Sequence, residues 1–148
     1  MNPFAFELIS KYEVSDPNNP PLTAYWDALG RVWTIGYGST GPDITEGTTW
    51  SLQQAKDRLG QDILRFEKIV RSYVEVALSD QSLGALISLE YNAGPSRTST
   101  IYQLINNKQF ILAASEFPKW DHCRNKEVLG LKIRRFDEGL TFLRGLVK

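Results

Sequence analysis

The chain has 148 residues, 42% hydrophobic and 23% charged, with 17 Lys/Arg balanced by 17 Asp/Glu. This length suits one core, the composition excludes a disordered chain, and the zero formal net charge excludes a global field drawing the molecule to nucleic acid or membrane. A single cysteine, Cys123, excludes an internal disulfide, and no apolar run approaches the ~20 residues of a membrane span.

The opening MNPFAFELISKYE lacks the basic start and apolar centre of a signal peptide. Within it Phe4, Leu8 and Ile9 fall at helical spacing, with Tyr12 one turn beyond Leu8, which predicts a short amphipathic helix ending near Glu13. SDPNNPP (15–21) reads as a surface loop that bulges outward, because Pro fixes the backbone and Asn and Asp favour turns. TAYWDALGRVWTIGYGSTG (23–41) is rich in β-branched and aromatic residues, with Gly at 30, 36, 38 and 41, and predicts a small antiparallel sheet with tight turns. Alternation sends about half of Tyr25, Trp26, Trp33 and Tyr37 inward as core.

The rest reads as helix. Ser51 and Gln54 form a capping box, and Leu52, Ala55, Leu59, Ile63, Phe66 and Val70 then step by three or four. That pattern predicts a helix of about 20 residues, roughly 30 Å long. Ser79 is the next N-cap, with Leu78 and Leu83 at the spacing of a hydrophobic staple, and its helix stops at Asn92-Ala93-Gly94-Pro95. Further helices are predicted over 99–107, 109–117 and 131–146. The expected class is α+β and mainly helical, one domain over 1–148. A small antiparallel β lobe spans about 14–50, a long helix connects it to a helical lobe over about 72–148, and the N-terminal helix joins that second lobe. A cleft between lobes suits an elongated ligand. Residues 119–148 carry eight Lys/Arg against four acids, which reads either as a face for an anionic polymer or as solvated helix surface.

Glu13, at a helix end beside the sheet, and Asp27, within the sheet, are candidates for paired-carboxyl chemistry. Glycoside cleavage needs one carboxyl to protonate the leaving oxygen and another, ionised, to activate water or hold the cationic transition state. The negative end of the helix dipole suits Glu13 to the first role, and the polar sheet suits Asp27 to the second. Two acids among 17 identify nothing alone; their setting does.

The string Ala24-Tyr25-Trp26-Asp27-Ala28-Leu29-Gly30-Arg31-Val32-Trp33-Thr34-Ile35-Gly36-Tyr37-Gly38 resembles the phage-type lysozyme family of glycoside hydrolases, whose pattern runs roughly AYxDxxGxWTIGYGHT. The likeness continues through Leu8-Ile9-Ser10-Lys11-Tyr12-Glu13, Leu86 to Gly94, Ser99-Thr100-Ile101 with Leu104-Ile105-Asn106, Glu116-Phe117 with Trp120, and Leu129-Gly130-Leu131 with Arg134, Arg135 and Glu138. It implies a lysozyme-like two-lobe fold and catalytic roles for Glu13, Asp27 and Thr34. It also implies substrate contacts from Tyr25, Asn92 and Arg134.

The implied reaction is hydrolysis of the β-1,4 bond between N-acetylmuramic acid and N-acetylglucosamine in peptidoglycan, by a monomer without cofactor or metal, for phage-driven lysis of the host cell. The protein is expected to be made in the host bacterial cytoplasm and to act on the wall after release across the inner membrane. It needs no nucleic acid partner and no stable membrane insertion. Two other readings are a catalytically impaired peptidoglycan-binding module and a phage-tail or effector lysozyme. On the residues alone, Thr34 is also an ordinary strand residue, Asn92 an ordinary C-cap, and Trp120 a core residue. The neighbours His122 and Cys123 make neither a zinc site, which needs about four ligands, nor a nucleophile–base pair.

Three departures from the family are visible. Thirteen residues separate Glu13 from Asp27 where eight are usual, and the excess falls in the 15–21 loop. Six rather than five separate Asp27 from Thr34, with Arg31 as the extra hairpin residue. Ser39 stands where the family has His, which removes an imidazole partner of the hairpin.

Overall fold

A computed structural model describes residues 1–123 and 126–147. Arg124 and Lys148 of the basic segment, and the side chains of Cys123, Lys126 and Glu127, lie outside the described residues. The first helix, α1 (Pro3–Glu13), is capped by Asn2, whose side chain accepts the Ala5 amide at 3.0 Å, and Pro3 fits the first turn because no intrahelical donor is needed there. Ala5, Leu8 and Ile9 face the core. The helix ends at Glu13 because Val14 is already extended (φ −134°, ψ 151°).

The following loop points outward over residues 15–19, as expected, with Asp16 accepting the Asn18 amide (2.9 Å) and the Asn19 side chain (2.8 Å). It is not a loose bulge, however. Pro20 is buried, and the Pro17 carbonyl accepts the Tyr37 hydroxyl at 2.6 Å. Removing the loop would leave that phenol without its partner.

Strands β1 (Tyr25–Asp27) and β2 (Val32–Thr34) form an antiparallel pair in the register Tyr25↔Thr34, Trp26↔Trp33, Asp27↔Val32. Pleating therefore puts Tyr25, Asp27, Val32 and Thr34 on one face and the two tryptophans on the other, where their rings meet edge to face at 5.6 Å. The turn between the strands contains Arg31 at φ 53°, the left-handed region a non-glycine residue enters only at a cost of about 1 kcal/mol, in keeping with an inserted residue. Of the four aromatics, Tyr37 is core and Trp33 half-buried, while Tyr25 and Trp26 are exposed.

Helix α2 (Leu52–Tyr73) starts with both halves of the Ser51–Gln54 capping box formed and buries Ala55, Leu59, Ile63 and Val70. At 22 residues it is about 33 Å long. Helix α3 (Asp80–Asn92), capped by Ser79, is the central rod, packed on α1, α2 and the C-terminal helix. A Cβ at Gly84 would lie 2.6 Å from Phe4 Cβ and 2.9 Å from the Ala5 nitrogen, so this glycine is what lets α1 press onto α3. Then come α4 (Thr100–Asn106), α5 (Phe110–Ala114), a 3-10 turn Phe117–Trp120, a hairpin of β3 (His122–Cys123) and β4 (Lys126–Glu127), and α6 (Leu129–Arg144).

The architecture is the mainly helical one expected, with two differences. The helix over 109–117 stops at Ala114 and re-forms as a tighter turn at Phe117-Pro118. The β3–β4 hairpin is unannounced by any alternation in the sequence. The basic segment is also not simply solvated surface, since Arg134 and Arg135 are buried, the latter completely. Among the described residues, no helix is long and apolar enough to cross a membrane.

One core acid stands apart from the cleft. Glu90 on α3 is buried and accepts the Tyr102 hydroxyl at 2.8 Å; burial raises its pKa to about 7, and the Tyr102 bond only partly opposes this. An acid whose folded pKa lies above its unfolded value stabilises the fold most at low pH, and that contribution is lost as pH rises through the folded pKa. Between pH 5 and pH 8 the wild type is expected to lose up to about 2 kcal/mol through this group. Glu90→Gln, which keeps an acceptor for Tyr102, should remove that loss. Denaturant unfolding of both proteins at the two pH values checks it; parallel pH dependence of the two would refute it.

Candidate active site

A cleft of about 470 Å³ opens between the β1–β2 hairpin and the helical lobe, lined by Tyr12, Glu13, Asp27, Gly30, Asn92 and Arg134 among others. Glu13 enters it from the last residue of α1. Its Oε1 accepts Arg134 Nη1 at 2.7 Å, and its side chain is 19% exposed against 3% for Arg134. The helix end is thus not the only influence on Glu13, because a guanidinium from α6 also meets this carboxyl.

On its other side Glu13 touches the backbone of the WTIGYG turn. Gly38 has φ +80°, and a Cβ there would stand 2.7 Å from Glu13 Cδ and 3.2 Å from Cγ. The turn is closed by reciprocal Ile35–Ser39 backbone bonds, and its phenol-bearing residue is pinned when Tyr91 donates its hydroxyl to the Tyr37 carbonyl at 2.8 Å.

Asp27 enters from the end of β1. Its Oδ1 accepts the amides of Leu29 (3.1 Å) and Gly30 (3.2 Å), so the carboxylate caps its own turn and is held in one orientation. Thr34 shares the sheet face of Asp27 but lies at its buried end, 3% exposed, its hydroxyl donating to the Val32 carbonyl at a long 3.3 Å; it does not line the cleft. Tyr25, opposite Thr34, is exposed. Partial burial, then the charges of Asp27 and Glu13, raise the pKa of its hydroxyl, so both carboxylates lie within electrostatic reach of it.

Asn92 ends α3 and faces the cleft, exposed, with Oδ1 accepting Arg135 Nη1 at 2.9 Å. The left-handed residue at that helix end is Gly94 (φ 64°), so Asn92 is not the left-handed cap. The structure gives Arg134 a different position from an open substrate contact: it is buried, and its cleft-facing nitrogen is occupied by Glu13. Ser39 does not leave the hairpin unbraced, since its hydroxyl reaches Asp62 Oδ2 on α2 at 3.3 Å and Arg58 holds the same carboxylate.

Sequence reasoning missed Gly38 as a neighbour of Glu13, although it lies inside the quoted motif. It also missed the burial of the Arg134–Arg135–Glu138 group, for which the i+3 and i+4 spacing on one helix was the available signal. Among the described residues no cluster of three or more His, Cys, Asp and Glu side chains is placed to hold a metal ion.

A mainly helical two-lobe chain with a glutamate and an aspartate lining one cleft has the architecture of the lysozyme-type glycoside hydrolases. The phage lysozyme family model matches residues 20–138. The chain is 35% identical over 113 residues to a SAR-endolysin of Enterobacteria phage P21, covering 75% of this chain and 68% of the relative. It is 34% identical over 118 residues to an endolysin of Bacillus phage PZA, covering 78% of this chain but 46% of that protein, so the chain spans about half the length of that relative. Among solved structures, an endolysin from Escherichia coli O157:H7 phage FAHEc1 superposes with a TM-score of 0.81 at 27% identity, covering 95% of this chain and 91% of the other. The chain belongs to the phage lysozyme family. The family match begins beyond Glu13 and most of the 15–21 loop, so the place of Glu13 in the site stands on the geometry around Arg134 and Gly38.

Proposed function

We propose that the protein, acting as a single domain, is a muramidase that hydrolyses the β-1,4 bond between N-acetylmuramic acid and N-acetylglucosamine, with Glu13 as general acid and Asp27 as the ionised partner. The observation that carries this reading is that Glu13 and Asp27, set apart by an enlarged loop, line the same cleft. Glu13 gives its proton to the glycosidic oxygen as the bond from the anomeric carbon breaks, and the leaving sugar departs as an alcohol. Asp27 stabilises the positive charge developing on the ring, orients water toward the anomeric carbon and takes the proton that this water releases as it adds; passing that proton on to solvent, with Glu13 regaining one, restores the starting state. Thr34, buried behind Asp27 on the same sheet face, acts on that water only indirectly, through the strand pair it shares with Asp27, while Tyr25 and Asn92 border the sugar chain. The cell wall is the site of action, reached from the cytoplasm across the inner membrane, in keeping with relatives named endolysin and SAR-endolysin.

Release of reducing sugar from purified peptidoglycan tests the assignment. Asp27→Asn keeps the Oδ1 acceptor for Leu29 and Gly30 and so should stay folded, yet lose at least about 100-fold in rate. Thr34→Ala should lose about tenfold or less. Full activity in a folded Asp27→Asn protein would move the second role to another acid.

A further inference from the structure

Glu138 on α6 is completely buried and sits between two guanidiniums. Its Oε2 accepts the Ser88 hydroxyl (2.5 Å), Arg135 Nη2 (3.1 Å) and Arg134 Nε (3.4 Å), and its Oε1 pairs with Arg135 Nε. Each arginine uses its other edge on a cleft residue. Arg134 Nη1 holds Glu13 at 2.7 Å, and Arg135 Nη1 holds Asn92 Oδ1 at 2.9 Å. Only arginine can do this, because its planar fork presents donors in two directions, whereas an ammonium is a single point.

Such a cluster is poorly explained as a source of stability. Burial alone pushes the Glu138 carboxyl up and the Arg135 guanidinium down, and the ion pairing has to offset both. Apolar residues of like volume commonly serve the core as well or better. What apolar residues cannot do is fix two polar side chains in a cleft.

We infer that Glu138 is a positioning residue for the reaction proposed above: through Arg134 it sets Glu13, and through Arg135 it sets Asn92. The inference rests on that reading of the site, and it separates two effects, with the Arg134 arm acting on turnover and the Arg135 arm on substrate binding.

The test is a cycle of four proteins assayed on soluble peptidoglycan fragments: wild type, Asn92→Ala, Arg135→Met/Glu138→Gln, and the combination of all three. The paired substitution removes one buried charge of each sign, and Arg134 keeps Glu13 as its counter-ion. It should fold, lower kcat about 10- to 100-fold through the loosened Glu13, and raise KM several-fold. On the Asn92→Ala background the same pair should still lower kcat but raise KM no further. Wild-type kcat and KM in the folded paired variant, or KM increases that multiply across the cycle, would overturn the inference. If near-ultraviolet circular dichroism shows the paired variant unfolded, Ser88→Ala takes its place. It removes one hydroxyl contact from Glu138 and Arg134 and should lower kcat several-fold with KM little changed; unchanged kcat would overturn the inference. If the wild type itself releases no reducing sugar, the functional reading fails, and crystal structures of wild type and variant then decide the positioning claim: displaced Glu13 and Asn92 side chains support it, and unmoved ones refute it.

Discussion

Glu13→Gln is expected to abolish lysis while leaving the protein folded. Gln has the size and shape of Glu and can still accept Arg134 Nη1 through its amide oxygen, so the α1–α6 contact at 2.7 Å has a substitute. What it lacks is a carboxylic proton to transfer to the leaving oxygen. Loss of a general acid costs ~10²–10⁴-fold, and more where the leaving group is a poor one. Arg134 is left facing a neutral group, which should lower the midpoint of thermal unfolding modestly rather than prevent folding. Turbidity loss of chloroform-treated Gram-negative cells, with circular dichroism alongside, measures both halves. Near-wild-type lysis by folded Glu13→Gln would remove the residue from the mechanism.

The second large effect is expected at a residue without a side chain. Gly38→Ala places a methyl 2.7 Å from Glu13 Cδ, well inside contact distance, at a backbone position with φ +80° that alanine adopts only under strain. The backbone conformation alone costs about 1–2 kcal/mol. The methyl must also push the Glu13 carboxyl away from its place in the cleft, and a displacement of about 1 Å at a reacting group can cost on the order of 10²-fold. Gly38→Ala should therefore lose at least about 100-fold in kcat while remaining folded, with a lower melting midpoint. Gly47→Ala is the control, because Gly47 also has positive φ (+86°) but a Cβ there meets nothing within 4 Å. It should show the backbone cost without the loss of activity. Equal activity in the two variants would show that Gly38 is only a turn residue.

Much of this arrangement is legible in the sequence because local physics carries it. Helix α1 ends where the apolar spacing ends, the Ser51–Gln54 box forms as its spacing predicts, and α3 stops at the Asn-Ala-Gly-Pro run. These depend on residues a few positions apart. The features that were not legible depend on partners far away in the chain. Arg134 meets Glu13 across 121 residues and Ser88 across 46, and a charged side chain is buried only where such partners await it. Read along the chain, Arg134 is a cation of a basic segment that the family likeness offers as a substrate contact; only the packing of α1, α3 and α6 turns it into a buried brace. The 15–21 loop shows the same limit. Its outward course follows from Pro and Asn, but the Pro17–Tyr37 bond that anchors it spans 20 residues and no local pattern announces it. The β3–β4 hairpin pairs only two residues on each side and has too little alternation to register as strand.

Muramidase action at the cleft holding Glu13 and Asp27 means simple hydrolysis of the glycan on the muramic acid side. The most direct measurement is mass spectrometry of the soluble fragments from peptidoglycan digested by the wild type, after borohydride reduction of their new ends. The expected fragments have gained one water and end in reduced N-acetylmuramic acid. Fragments ending in reduced N-acetylglucosamine, or ends that resist reduction because the sugar's own hydroxyl has closed on the anomeric carbon, would contradict it.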